Sequence, residues 1–184
     1  LVRGSLRFDI LGIIDNKFYD NDAGKLLDGK HRNIPIYKSL LSFLNLNINI
    51  DYCIIGVASA GGVLPEEMRS DIILSLKNNI SIVNGLHSFL EDDLEISEIA
   101  KINNTKLYDI RKPRERDLLS FWSGKINQVK CPKIVVMGTD CGLGKRTTAK
   151  LIVENLRKNS FKSEMIFTGQ TGWMQGWKFG FILD

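Results

Sequence analysis

Short apolar, β-branched runs alternate along this chain with stretches in which apolar residues return every three or four positions. The runs Phe8 to Ile14, Tyr52 to Val57, Ile80 to Val83 and Lys106 to Ile110 are each bounded by Gly, Asp or Asn, and they predict strands. Between them Pro65 predicts a helix start, because the first helical turn does not need its missing N–H, and Met68, Ile72, Ile73 and Leu76 then recur at helical spacing. A second helix is predicted from Leu94 to Ala100. Strands alternating with helices imply βαβ units, hence a mostly parallel sheet with helices on both faces. The predicted fold class is therefore α/β, with a Rossmann-like first part.

From Arg111 to Gln128 the pattern loosens, charges mix with Pro113 and Gly124, and Pro132 precedes the next apolar run. This places a boundary between a domain at 1–125 and another at 126–184. In the second domain Ile134 to Met137 predicts a buried central strand, and Ala149, Ile152, Val153 and Leu156 predict an amphipathic helix. The chain enters a strand pattern almost at Leu1 and stops within the apolar pattern Trp177 to Leu183. On that pattern the first domain is expected to lack its first β-α unit, and the second to be truncated at its C-terminus.

Between the run at 134–137 and the helix stands Gly138-Thr139-Asp140-Cys141-Gly142-Leu143-Gly144-Lys145-Arg146-Thr147-Thr148. Glycines at 138, 142 and 144 let backbone N–H groups turn toward a phosphate, and the following helix start adds unsatisfied N–H groups with partial positive charge. Lys145 supplies a full charge, and Thr147 or Thr148 a hydroxyl for Mg²⁺, with Thr147 taken as the metal ligand. All of 138–142, 144 and 145–148 are thus expected to contact a nucleotide. The loop departs twice from G-x-x-x-x-G-K-[ST]. Five residues separate Gly138 from Gly144, and Arg146 follows the lysine. The longer spacing with Gly-Thr-Asp at its head resembles the loop of dethiobiotin synthetase and related P-loop enzymes. Arg146 moves the candidate hydroxyl about 100° around the helix.

The loop gains specificity from its neighbours. Together with Thr168-Gly169-Gln170-Thr171-Gly172, Asn84-Gly85-Leu86-His87 and Asp109-Ile110-Arg111-Lys112-Pro113, it resembles a prokaryotic family of unassigned function, domain of unknown function 1611. The resemblance runs from about Ile10 to Gly172. It implies an N-terminal Rossmann-like domain joined to a C-terminal P-loop domain, and a non-hydroxyl residue after the loop lysine as a family trait. Some members are labelled NAD-dependent epimerase or dehydratase, and some are linked to D-glutamate metabolism as N-acyltransferases.

Other residues offer chemistry with a plainer reading beside it. His87 follows the strand 80–83 and could act as a general base, although a lone His is more often structural. Gln170 and Thr171 follow a predicted strand, Glu164 to Phe167, and could orient a water or substrate, or form only a glycine turn. Arg111, Lys112, Arg114 and Arg116 could meet an anion or simply be solvated. Glu91, Asp92 and Asp93 read as a helix start, and Asp15 as the beginning of a turn. The loop Gly56 to Gly62 lacks G-x-G-x-x-G, so a dinucleotide has weak support there. Cys141 lies inside the phosphate loop and reads as a small filler, with a thiolate as the sharper alternative.

A net charge of +4 with mixed signs along the chain argues against a nucleic-acid partner. No apolar run approaches the roughly 20 residues that span a bilayer, so no membrane partner is expected. Three cysteines without C-x-x-C spacing fit reduced thiols and a cytoplasmic protein. The residues favour an ATP (or other NTP) and Mg²⁺-using enzyme acting on a small anionic metabolite, with Lys145, His87 and Gln170 as catalytic candidates. NAD(P) and CoA have weaker support. The alternatives are an N-acyltransferase of D-amino-acid metabolism using a phosphate-bearing acyl donor, and a non-catalytic nucleotide-sensing module. The pattern leaves open a homo-oligomer.

Overall fold

The computed structural model describes residues 1–57, 59–140 and 142–182. Its best-packed part is a three-stranded parallel sheet of β3 (Tyr52–Ile54), β4 (Ser81–Asn84) and β5 (Leu107–Asp109), in that spatial order. The strand positions match the sequence reading, β3 and β5 trimmed at their ends and β4 shifted by one residue to end at Asn84. The crossovers are α3 (Arg69–Lys77) and α4 (Leu94–Ile102), which pack against each other. Two successive crossovers of one hand, moving one strand further each time, must lie on the same face of a sheet, and these do.

That face carries the core. Ile55, Ile82 and Leu86 meet Ile72 and Leu76 of α3 and Ile96 and Ala100 of α4, and Leu76, Ile82 and Ile96 are 0% exposed. The helix predicted to open at Pro65 begins as a 3₁₀ turn over Glu66–Met68 and becomes α-helical at Arg69. Asp93 caps α4 by accepting the Ile96 N–H at 3.0 Å, and Arg69 of α3 pairs with the same carboxylate. The Arg69 bond, followed by that backbone N–H, holds Asp93 down at about 2. Asp93 is thus the cap of a helix start, and Glu91 and Asp92 stand in the 3₁₀ turn before it.

Among the described residues no long helix covers the opposite sheet face. Phe8 meets Tyr52 edge-on at 5.7 Å and Trp173 at 6.2 Å, so an N-terminal residue and a C-terminal residue share the cover. The expectation of helices on both faces is met on the face that α3 and α4 cover, whereas on the other Phe8 packs on Tyr52 and Trp173 packs on Phe8.

The N-terminal region differs more from the expectation. Only Ile13–Ile14 of the predicted strand 8–14 form ladder pairs, as β1, with β2 (Ile36–Tyr37) in parallel. Pro35 has no N–H, which limits the ladder on that side. Two helices not predicted from the pattern, α1 (Ala23–Asp28) and α2 (Leu40–Leu44), owe their definition to caps. Asp22 accepts the Lys25 N–H at 2.9 Å, and Ser39 and Ser42 form a reciprocal capping box. Asp15 accepts the N–H groups of Lys17 and Phe18, which is the turn expected of it.

In the C-terminal part, α5 (Lys145–Lys158) follows the glycine-rich loop, and β6 (Ile166–Phe167) pairs in parallel with β7 (Phe179–Gly180) across α6 (Gln170–Met174). Val153 of α5, Met165 and Phe167 form a small core. The expected buried central strand at 134–137 is a correction. Val135 is 78% and Met137 83% exposed, and no ladder pairs this segment with another among the described residues. An apolar run makes a segment suitable for burial, but a buried strand also needs ladder partners, and among the described residues β6 and β7 pair with each other and not with 134–137. No described helix is long and apolar enough to cross a membrane.

Candidate functional site

The glycine-rich loop takes the conformation its sequence asks for. Gly142 and Gly144 have φ of 71° and 88°, a left-handed backbone that residues with a Cβ adopt at a cost, and Gly144 is the N-cap of α5. Lys145, the first residue of α5, folds back over the loop. Its Nζ donates to the Asp140 carbonyl, and its aliphatic stem passes so close to Gly138 that an added Cβ there would lie 3.2 Å from Cδ. Gly138, Asp140 and Lys145 are therefore brought together. Thr139 lies exposed in the loop, and Thr147 and Thr148 are exposed on the first turn of α5. Cys141 lies outside the described residues.

Arg146 points elsewhere. Its guanidinium donates to the side-chain oxygen of the buried Gln175, the C-cap of α6, and burial pulls its pKa below the usual value. The residue that displaces the usual hydroxyl after the lysine thus ties the start of α5 to the end of α6.

That helix is the strut of the site. Five residues are too few for a helix to be stable alone, and its last carbonyls are satisfied from the far end of the chain. Ser5 Oγ donates to Met174 O at 2.8 Å, Leu6 N to Gln175 O at 2.9 Å and Arg7 Nε to Trp173 O at 2.7 Å. The Arg7 guanidinium also lies 4.1 Å from the Trp173 ring centroid, a cation at a helix C-terminus. Gln170, the first residue of α6, and Met174, the last, both press against the loop after β4. A Cβ on Gly85 would stand 2.9 Å from Met174 Cε and 3.4 Å from Gln170 Cγ. One short helix therefore touches the phosphate loop's helix on one side and the parallel sheet's loop on the other.

The loops at the carboxyl ends of β4 and β5 hold the remaining candidates. Asn84, 0% exposed, donates to Asp109 Oδ1 at 2.6 Å and to Ser88 O at 2.7 Å, and accepts the Leu86 N–H at 3.0 Å. Asp109 in turn accepts the N–H groups of Leu90 and Glu91. This network fixes the turn that carries His87. The His87 N–H donates to Gly62 O at 2.8 Å, and the ring lies where a Cβ on Gly62 would be, 2.1 Å from Cδ2. Arg111 reaches back from the end of β5, donating Nε to Gly85 O at 2.8 Å and placing a terminal nitrogen 3.2 Å from His87 Nε2. The basic cluster thus divides. Arg111 turns inward, Lys112 pairs with Glu91 at 2.9 Å and Asp92 at 3.2 Å, and Arg114 and Arg116 are exposed.

The residues that hold the site but were given no role from sequence are Ser5, Arg7, Asn84, Asp109 and Gln175. Asn84 had a visible signal, a polar residue closing an otherwise apolar strand and followed by Gly. The clamp by Ser5, Leu6 and Arg7 had none, since it spans more than 160 positions.

Parallel sheets with crossover helices, followed by an extended segment, a glycine-rich loop and a helix opened by lysine, define an α/β protein with a nucleotide-binding, P-loop-like C-terminal fold. Two family models agree with this division. One, a domain of unknown function described as a Rossmann-like domain (DUF1611_N), matches residues 17–113, and the other, a P-loop domain (DUF1611_C), matches residues 120–184. The chain belongs to the DUF1611 family.

A crystal structure of a DUF1611 family protein from Anabaena variabilis is similar over 95% of this chain and 48% of its own, with a TM-score of 0.78 and 26% identity. Two curated relatives are named D-glutamate N-acetyltransferase. The one from a Pseudoalteromonas species is 31% identical and that from Tritonibacter scottomollicae 29%, each over 119 residues. The matched region is 65% of this chain but only 35% and 34% of those relatives.

Proposed function

We propose that this chain is the phosphate-binding part of a cytoplasmic N-acetyltransferase that acylates the amine of an acidic D-amino acid. The observation that carries the reading is the loop 138–148, with left-handed glycines opening α5 and Lys145 folded over it. The names of the two curated relatives supply the reaction class. CoA carries a pyrophosphate, and backbone N–H groups at a helix start with one lysine are the chemistry that grips it.

A second reading is favoured by the loop's likeness to nucleoside triphosphate loops. Thr147 or Thr148, exposed beside Lys145, would then be the chain's ligand to a Mg²⁺ ion, which supplies charge neutralisation between phosphates when bound. In that case Gln170 would face the transferred group from α6.

Calorimetric titration of the full-length protein with acetyl-CoA and with Mg-ATP distinguishes the two, alongside an assay for N-acetyl-D-glutamate. Acetyl-CoA binding and product formation without nucleotide cleavage are expected. Lys145→Ala should weaken donor binding about 10- to 100-fold, the worth of a charge-assisted hydrogen bond. Unchanged affinity in that variant would remove the loop from the mechanism, and product formation coupled to ADP release would favour the second reading.

A further inference from the structure

We propose that Arg111 and His87 form a subsite for the head group of an α-amino acid, Arg111 taking the α-carboxylate and His87 Nε2 the α-amine. The proposal rests on the acetyl-transfer reading for its chemistry, and on the geometry below for its place.

Arg111 Nε is committed to Gly85 O at 2.8 Å, which sets the plane of the guanidinium fork, and a terminal nitrogen lies 3.2 Å from His87 Nε2. A guanidinium has only donors, so as a hydrogen bond this contact makes Nε2 the acceptor. A carboxylate-binding fork and an imidazole lone pair therefore stand side by side. In an α-amino acid the carboxylate and the amine share one carbon, so they too stand side by side. A carboxylate engaging the fork takes Arg111's hydrogen bonds, and the Nε2 lone pair passes from the guanidinium to the ammonium.

The setting is a ligand setting. Both residues lie at the carboxyl ends of parallel strands, where open α/β sheets bind ligands. They are held from behind by the Asn84–Asp109 network and by the close approach of Gly62 to the imidazole. Gln170, at the N-terminal end of α6, packs on Gly85, and Gln175 at the other end holds Arg146 beside Lys145. α6 thus stands between the subsite and the helix that follows the phosphate loop, meeting Gly85 through Gln170 and Met174 and Arg146 through Gln175.

The step balances as follows. His87 Nε2 takes a proton from the ammonium, and the freed amine attacks the thioester carbonyl carbon. The C–N bond forms and the C–S bond breaks. The thiolate leaves and takes the second amine proton, and the imidazolium returns its proton to water. His87 touches the reacting amine and is catalytic in this scheme, whereas Arg111 holds the acceptor.

The test uses the full-length protein and three ligands: D-glutamate, D-isoglutamine, whose α-carboxylate is an amide, and D-glutamine, whose side-chain carboxylate is an amide. Calorimetry should give about 10- to 100-fold preference for D-glutamate over D-isoglutamine in the wild type. Arg111→Ala should bring that ratio near one while leaving the ratio over D-glutamine unchanged, and Arg111→Lys should retain part of it. Collapse of the D-glutamine ratio instead, no change in either ratio, or no binding of D-glutamate by the wild type would each overturn the subsite. Melting temperatures of both variants separate loss of fold from loss of binding. In the transfer assay His87→Gln should lower kcat about 100-fold or more with KM nearly unchanged, and added imidazole should restore part of the rate. A loss confined to KM would overturn the role of His87. The binding arm needs no acyl donor, so absence of acetyl product would defeat the proposed reaction while the ratios still decide the subsite.

Discussion

The sheet β3-β4-β5 and the phosphate-loop segment are held in different ways. In the sheet, Leu76, Ile82 and Ile96 are sealed between strands and two crossover helices, and each strand is paired in register over its whole length. In the phosphate-loop segment the core is Val153, Met165 and Phe167, the apolar run at 134–137 stands largely exposed, and order comes from point contacts with the rest of the chain. Those contacts are Arg146 on Gln175, and Ser5, Leu6 and Arg7 on the carbonyls of α6. The difference teaches that the first region supplies stability and the second borrows it. A glycine-rich loop can then keep its left-handed turns at Gly142 and Gly144, because its own packing is not asked to hold the fold.

The largest expected effect tests that division directly. Leu76→Ala should cost about 2–5 kcal/mol by chemical denaturation, through lost burial and a residual cavity. Val135→Ala, at an equally apolar but exposed position, should change stability by no more than about 0.5 kcal/mol. Comparable losses at the two sites would show that 134–137 is buried in the folded protein and would erase the contrast.

A smaller effect is expected where the regions meet. Ser5→Ala removes the hydroxyl that donates to Met174 O and accepts from the N–H groups of Arg7 and Phe8. It should cost about 1 kcal/mol, and the amides of α6 should exchange faster with solvent than those of α3. Unaltered protection in α6 would mean that the short helix stands without the N-terminal clamp.

The smallest effect concerns pH and belongs to the sheet region alone. Asp93 is held at about 2 by Arg69 and by the Ile96 N–H, below the ordinary value of about 3.9. A depressed carboxylate stabilises the fold fully above the unfolded value and loses that contribution as pH falls from about 5 toward 2. Asp93→Asn keeps a side chain able to cap α4 but removes the charge. Its melting temperature should therefore fall less between pH 5 and pH 3 than that of the wild type, while donor binding at the loop stays the same at neutral pH. An identical pH slope in both proteins would remove the Arg69 pair from the stability of the sheet.

Much of the sheet was legible in the chain. Apolar runs at 52–57, 80–83 and 106–110 each carry a strand, and the spacing of Met68, Ile72 and Leu76 marks the face of α3 that meets them. These signals survive because a buried parallel strand must be apolar throughout and a covering helix must be apolar on one stripe. The helices α1 and α2 were not legible, since five or six residues offer too few turns for a periodicity and their definition comes from caps. The run at 134–137 was misread for the opposite reason, a clear pattern whose neighbours the pattern could not supply.

The site divides in the same manner. The phosphate loop was legible because its parts are contiguous: glycines that permit left-handed φ, and a lysine at the first helical position, are local requirements written within eleven residues. Only the tertiary structure decided that Arg146 serves Gln175, that residues 5–7 cap α6, and that Arg111 stands against His87. Each of those joins groups far apart along the chain. A hydrogen bond depends on a few tenths of an ångström and on angle, and no composition or spacing encodes that. By itself, then, the chain determined which backbone could hold a phosphate and which segments could form a parallel sheet. The tertiary structure decided which partner each charged side chain meets, because that choice depends on what packs beside each one.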